Sequence, residues 1–278
     1  MPATKTSTGR SQQRKNDELE VTEIDDDIND PVTTVLYGRA NSGKTTLASS
    51  WPKPMLYIDV SDRGSRSIRD IKGIKKRRIE TFADFEETYW WLIANPNRYL
   101  TVVVDTVSQL QRIAVEEHHS HKRTSKGSRS AGDWGSMTKR DWGDVAALMK
   151  EWIINYRDLA DLGMEVVFIA QDRTFNMSED DDEVEEGLAP EIGPALSPAV
   201  AKLLNASVDV IGNTFVQTRT IKGNTVKKIK AKEIVEYCLR VGPNSLYITK
   251  VRKPKSIEVP SIIVDPDYED IMAIIKGD

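Results

Sequence analysis

One cysteine in 278 residues, Cys238, has no partner to pair with in the chain. A disulfide framework and a cysteine-built metal cluster are both excluded, and a reducing cytoplasm is the natural setting. Long apolar runs are missing as well. No stretch approaches the roughly 20 residues that cross a bilayer, so no membrane association is expected. The opening residues, Met1 to Arg10, are polar throughout, unlike a secretory signal. No internal repeat of useful length occurs. A large surplus of one charge sign is also absent: the formal net charge is −4, which by itself gives no support to nucleic-acid binding. Only the distribution of charge can argue for it.

What the chain does contain is concentrated between residues 33 and 46. Thr34, Val35, Leu36 and Tyr37 are strand formers. They lead into Gly38, Arg39, Ala40, Asn41, Ser42, Gly43, Lys44 and Thr45, and Thr46 to Ser50 can begin a helix. This is GxxxxGK[ST] in the order strand, loop, helix, which makes the pattern a phosphate site. Backbone N–H groups of such a loop wrap the β-phosphate, and the helix start adds its dipole. Lys44 brings a point charge to the β- and γ-phosphates and is expected to face the ligand, not to pack in the core. Thr45 offers its hydroxyl to Mg²⁺. Average residue frequencies produce such a match in about one chain in a hundred of this length. The ligands implied are ATP and Mg²⁺.

Residues 1–30 are expected to form a disordered polar tail. Lys5, Arg10, Arg14 and Lys15 come first, then carboxylates dominate from Asp17 to Asp30, with too little apolar surface to offset the entropy of ordering. From residue 31 strands and helices alternate, predicting an α/β fold with a mostly parallel, twisted sheet flanked by helices. Expected strands are 33–37, 55–59, an edge strand at 77–81, 101–105 and 165–170; expected helices are 83–94, 106–114 and 142–161. The last third reads as antiparallel strands at 208–218, 234–241 and 247–251. Residues 256–278 form a C-terminal extension with a short helix near 268–275.

Thr101 to Val104 is an uninterrupted β-branched run that ends in Asp105, about 60 residues after the Gly-rich loop. A carboxylate there suits a Walker B position, holding Mg²⁺ through water. A strand-end Asp can also cap the following helix, but Lys44 favours the metal-site reading. Residues 118–130 carry His118, His119, His121, Lys122, Arg123, Lys126 and Arg129 without one acid, and Trp134 can stack on a base. No cysteine or carboxylate stands among the three histidines, which argues against zinc. A second basic stretch, Arg219 to Lys232, reads as a hairpin. Against these, Glu179 to Glu186 holds seven carboxylates in eight residues, a run that repels a phosphodiester backbone. It reads as a shield for the basic loop, a site for a basic partner, or an inert solvated loop. Lys250 and Arg252 stand two apart at the end of a strand, so their side chains share a face.

Tyr99 to Val107 resembles the Walker B stretch of RecA-type recombinases, and Val167 to Gln171 resembles their sensor strand. With Pro52-Lys53-Pro54, Asp141-Trp142-Gly143 and Leu203 with Val208-Asp209-Val210, residues 31–255 are similar to phage-encoded AAA-family ATPases trimmed to a RecA-like P-loop core. That resemblance implies a role on single-stranded DNA in phage recombination, replication or repair. It also implies a homo-oligomer, ring or filament, a host-cell cytoplasmic setting, and a single-strand-binding or replication protein as a further partner. By the same resemblance Gln171 faces the γ-phosphate. The first DNA loop is the basic one, with Lys122, Arg123, Lys126, Arg129 and Trp134. Lys250 and Arg252 reach a neighbour's nucleotide. The family's general base, a glutamate, falls on Ser61, leaving Asp59 or Asp62 to polarise water and hydrolysis slow. Two other classes share the nucleotide motifs, a nucleotide-switched adaptor and a helicase or its loader.

Overall fold

The computed structural model describes residues 30–61, 64–125, 137–175, 190–221 and 232–277. Eight strands form one continuous path: β1 (Thr33–Tyr37), β2 (Met55–Val60), β3 (Ile74–Ile79), β4 (Thr101–Asp105), β5 (Glu165–Ala170), β8 (Val210–Ile221), β9 (Lys232–Arg240) and β11 (Ile262–Val264). Their spatial order is β11-β9-β8-β1-β5-β4-β2-β3, and β10 (Lys250–Val251) pairs with β8 as the ninth strand. Strands β3, β2, β4, β5, β1 and β8 run parallel; β9, β10 and β11 are antiparallel to their neighbours. A separate ribbon pairs β6 (Asp172–Phe175) with β7 (Glu191–Pro194).

The pleat sorts the strand residues onto two faces. Val35, Tyr37, Leu56, Ile58, Val102, Val104, Val166 and Phe168 point to one side. There α2 (Phe82–Ala94), α3 (Val107–Ser125), α4 (Lys139–Arg157) and α5 (Pro198–Ser207) cover them. Leu36, Met55, Tyr57, Val103, Val167 and Ile169 point to the other side, under α1 (Lys44–Ala48) and α6 (Tyr268–Lys276). With both faces covered, the central strands are apolar at nearly every position, as a parallel sheet requires. Capping boxes start α2 at Thr81 with Asp84, and α4 at Thr138 with Asp141.

Three expectations need correction. The C-terminal third is not wholly antiparallel: β8 runs parallel to β1, with Thr34 opposite Val210, because α5 returns the chain to the same end of the sheet. Strand β10 keeps only Lys250 and Val251. Ile248 instead donates its N–H to Ile192 O and leans on the β6–β7 ribbon. The edge strand lies at 74–79, three residues before its expected start. The C-terminal extension 256–278 carries the expected short helix and packs on the sheet: β11 pairs with β9, and Ile271 and Met272 of α6 are buried. Among the described residues no helix is long and apolar enough to cross a membrane. Residues 1–29 of the polar tail and the acidic run 179–186 lie outside the described residues.

Candidate active site

The Gly-rich loop leaves the C-terminal end of β1 and turns into α1 beneath a cavity of about 900 Å³. Close packing explains its glycine start: a Cβ on Gly38 would lie 2.3 Å from the Thr214 carbonyl oxygen on β8. Ser42 Oγ and Thr214 Oγ1 are 2.6 Å apart, tying the loop to the same strand. Lys44 is almost fully buried and lines the cavity. Its Nζ donates to Gly38 O and Arg39 O, both at 2.7 Å. The ammonium is thus held by loop carbonyls at the place where phosphate oxygens would compete for it.

Asp105 ends β4 two strands from β1, with β5 between them. Its Oδ2 accepts from Thr45 Oγ1 at 2.7 Å and from the Tyr57 hydroxyl, and only 3 % of the residue is exposed. The helix-cap role expected as an alternative belongs to its neighbour: Thr106 Oγ1 accepts from Gln109 N at 3.1 Å. Burial first, and the Asp105 charge second, push the Tyr57 hydroxyl far above its ordinary range, so it stays a donor. Gly64 seals this corner. A Cβ there would lie 2.8 Å from Tyr57 Oη and 3.1 Å from Asp105 Oδ2. A hydroxyl, a carboxylate and a space kept clear of side chains are the oxygen donors and room that Mg²⁺ needs beside a phosphate. Tyr57 had no sequence signal, because an aromatic in an apolar strand reads as core.

Asp59 stands opposite Asp105 on β2, on the same face of the sheet. Ser65 Oγ donates to its Oδ2 at 3.2 Å, and Lys76 Nζ lies 3.8 Å away. Ser61 is exposed and adopts φ 61, a left-handed conformation uncommon for serine, at the point where β2 turns away from the sheet. Asp62 lies outside the described residues. Gln171 follows Ile169 on the α1 face of β5, lines the cavity, and sits between the Gly-rich-loop strand and the Asp105 strand. Residues without any motif line the cavity too: Arg66 from the turn after β2, and on the far wall, beyond β8, Tyr237, Asp265 and Pro266.

The remaining predicted residues are elsewhere. Lys250 Nζ donates to Asn205 O and Ala206 O, and Arg252 donates to Ala206 O and pairs with Asp209 at 2.8 Å. The pair does share one target, but that target is the carbonyl end of α5 in the same chain. It sits where β8 begins, at the opposite end of β1 from the Gly-rich loop. Lys122 and Arg123 fall in the last turns of α3, and Lys126, Arg129 and Trp134 lie outside the described residues. His118 does meet carboxylates, from α4: Asp141 at 3.1 Å, with Asp144 nearby. Asp141 closes the capping box of α4 through its other oxygen, Oδ2, which accepts from Thr138 N and Oγ1.

A parallel sheet with this loop at its centre, and a Thr–Asp pair beside it, defines a P-loop NTPase. A family model described as an AAA domain matches residues 30–253, and the chain belongs to that family of nucleotide-binding P-loop ATPases. A comparison with curated proteins finds no match.

Proposed function

We propose that this chain hydrolyses Mg·ATP while acting on single-stranded DNA in phage recombination, replication or repair, as a ring or filament in the host-cell cytoplasm. The observation that carries the ATPase part is the 2.7 Å meeting of Thr45 and Asp105 beside the Gly-rich loop. Backbone N–H groups of residues 38–43 and the Lys44 ammonium bind the β- and γ-phosphates, and Thr45 and Asp105 hold Mg²⁺. When bound, that ion offsets negative charge on the phosphate oxygens. Gln171 orients or senses the γ-phosphate. Asp59, the buried carboxylate opposite Asp105, polarises the attacking water, with Ser61 in place of a glutamate making turnover slow.

The DNA part rests on charge placement. The basic run begins on the last turns of α3, the helix that directly follows Asp105, so DNA and nucleotide share one element. A second reading, an adaptor that binds ATP, hydrolyses it poorly and recruits a single-strand-binding or replication protein, is favoured by Ser61 and by the ties of Asp59 to Ser65 and Lys76. ATP turnover of gel-filtered protein, with and without single-stranded DNA, separates the two. Stimulation by DNA supports the first reading. Tight ATP binding with no turnover under either condition supports the adaptor.

A further inference from the structure

Nothing so far accounts for the far wall of the cavity. The triphosphate determinants lie on β1, β4 and β5, whereas Tyr237 stands on β9, four strand spacings from β4, or about 19 Å. A cavity of about 900 Å³ that reaches both is longer than a triphosphate needs. Along β9 the face that meets α1 and α6 carries Leu239 and Val241, both buried. The same row continues past them to Tyr237, which is 47 % exposed. An aromatic ring thus emerges from the core directly beside the Gly-rich loop: a Cβ on Gly43 would meet Tyr237 Cδ1 at 3.0 Å.

The backbone of Tyr237 is fixed from both sides. It pairs with Val216 of β8, and on the other side Asp265 N donates to Tyr237 O at 2.7 Å while Asp265 Oδ1 accepts from Tyr237 N at 3.3 Å. Asp265 holds φ 48, in the left-handed region, and Pro266 follows at the cavity edge. The turn is anchored in turn by α6, whose Tyr268 N–H donates to Ser50 Oγ and whose hydroxyl donates to Glu165. Both Asp265 and Pro266 lie beyond the family match, which ends at residue 253.

We infer that Tyr237, walled by Asp265 and Pro266, is the subsite for the nucleoside base, a planar purine stacked on the tyrosine ring. The inference rests on the cavity being the ATP site. It makes the C-terminal segment part of the ligand site: β11 and α6 hold the turn that sets the ring.

Calorimetric titration of parent, Tyr237→Ala and Tyr237→Phe with Mg·ATP and with inorganic tripolyphosphate tests this. Loss of a base stack in Tyr237→Ala weakens ATP about tenfold or more, Tyr237→Phe keeps the parent's affinity, and tripolyphosphate binds all three alike. Equal ATP affinity in parent and Tyr237→Ala would overturn the subsite. Parallel loss of ATP and tripolyphosphate would also overturn it, since the ring would then be propping the loop, not holding a base. A parent that binds neither ligand fails the ATP-site reading itself, and the subsite with it.

Discussion

Asp105 carries more of the site than any other side chain, because one of its oxygens receives both Thr45 and Tyr57. Asp105→Asn removes the charge and keeps the shape, so ATP binding should survive while its Mg²⁺ requirement rises. Titrating Mg²⁺ at fixed ATP checks this, and an unchanged midpoint means the metal is held elsewhere. The positions of Lys44, Thr45, Asp105 and Gln171 around one cavity are legible, because motif spacing and strand ends place a residue type at a defined point. Those of Tyr57 and Tyr237 are not, since an aromatic in a strand looks the same whether it faces core or ligand. Glu165 is equally silent. It accepts from Val32 N and the Tyr268 hydroxyl, and burial raises its pKa above the ordinary glutamate range. A raised acid pKa means that the protonated form suits the folded state better. Its contribution is full below the unfolded value and is lost as pH rises through the folded one. Glu165→Gln should therefore gain stability relative to the parent as pH rises through that window, read from urea midpoints. A constant difference would exclude Glu165 as the source.

Among the elements, the four central parallel strands β2, β4, β5 and β1 are readable because burial on both faces leaves largely apolar runs with sharp ends. Strand β3 begins earlier than its sequence suggests, because Lys75, Lys76, Arg77 and Arg78 do not look like a strand. They occupy an open sheet edge, where charge is tolerated and discourages further pairing. Strand β8 gave an apolar-polar pattern but no sign of direction, which α5 decides. The C-terminal helix is legible to within a residue, but its importance is not, because amphipathic spacing does not say what a face covers. Ile271 and Met272 of α6 are buried against the sheet, so Ile271→Ala should cost about 2–5 kcal/mol in denaturant unfolding. A loss below about 0.5 kcal/mol would mean that α6 is only loosely docked. Thr81→Ala removes the α2 cap and should cost about 1 kcal/mol.

At the scale of the molecule, charge placement matters more than the net −4. Replacing Lys122, Arg123, Lys126 and Arg129 together with Ser should weaken single-stranded DNA binding. Each lost phosphate contact should reduce the log–log salt slope by about 0.7. Parental affinity and slope in that variant would send the DNA to another surface. Lys250 and Arg252 show that one spacing serves two targets: side chains two apart on a strand suit a phosphate, and here they suit the carbonyl end of α5. The central claim, that the loop at 38–45 binds ATP, is tested most directly by calorimetric titration of Mg·ATP into parent and Lys44→Ala proteins, with circular dichroism to confirm that both are folded. One ATP per parent chain, with most of the affinity lost in Lys44→Ala, is the predicted result; equal affinity in the two proteins would contradict it.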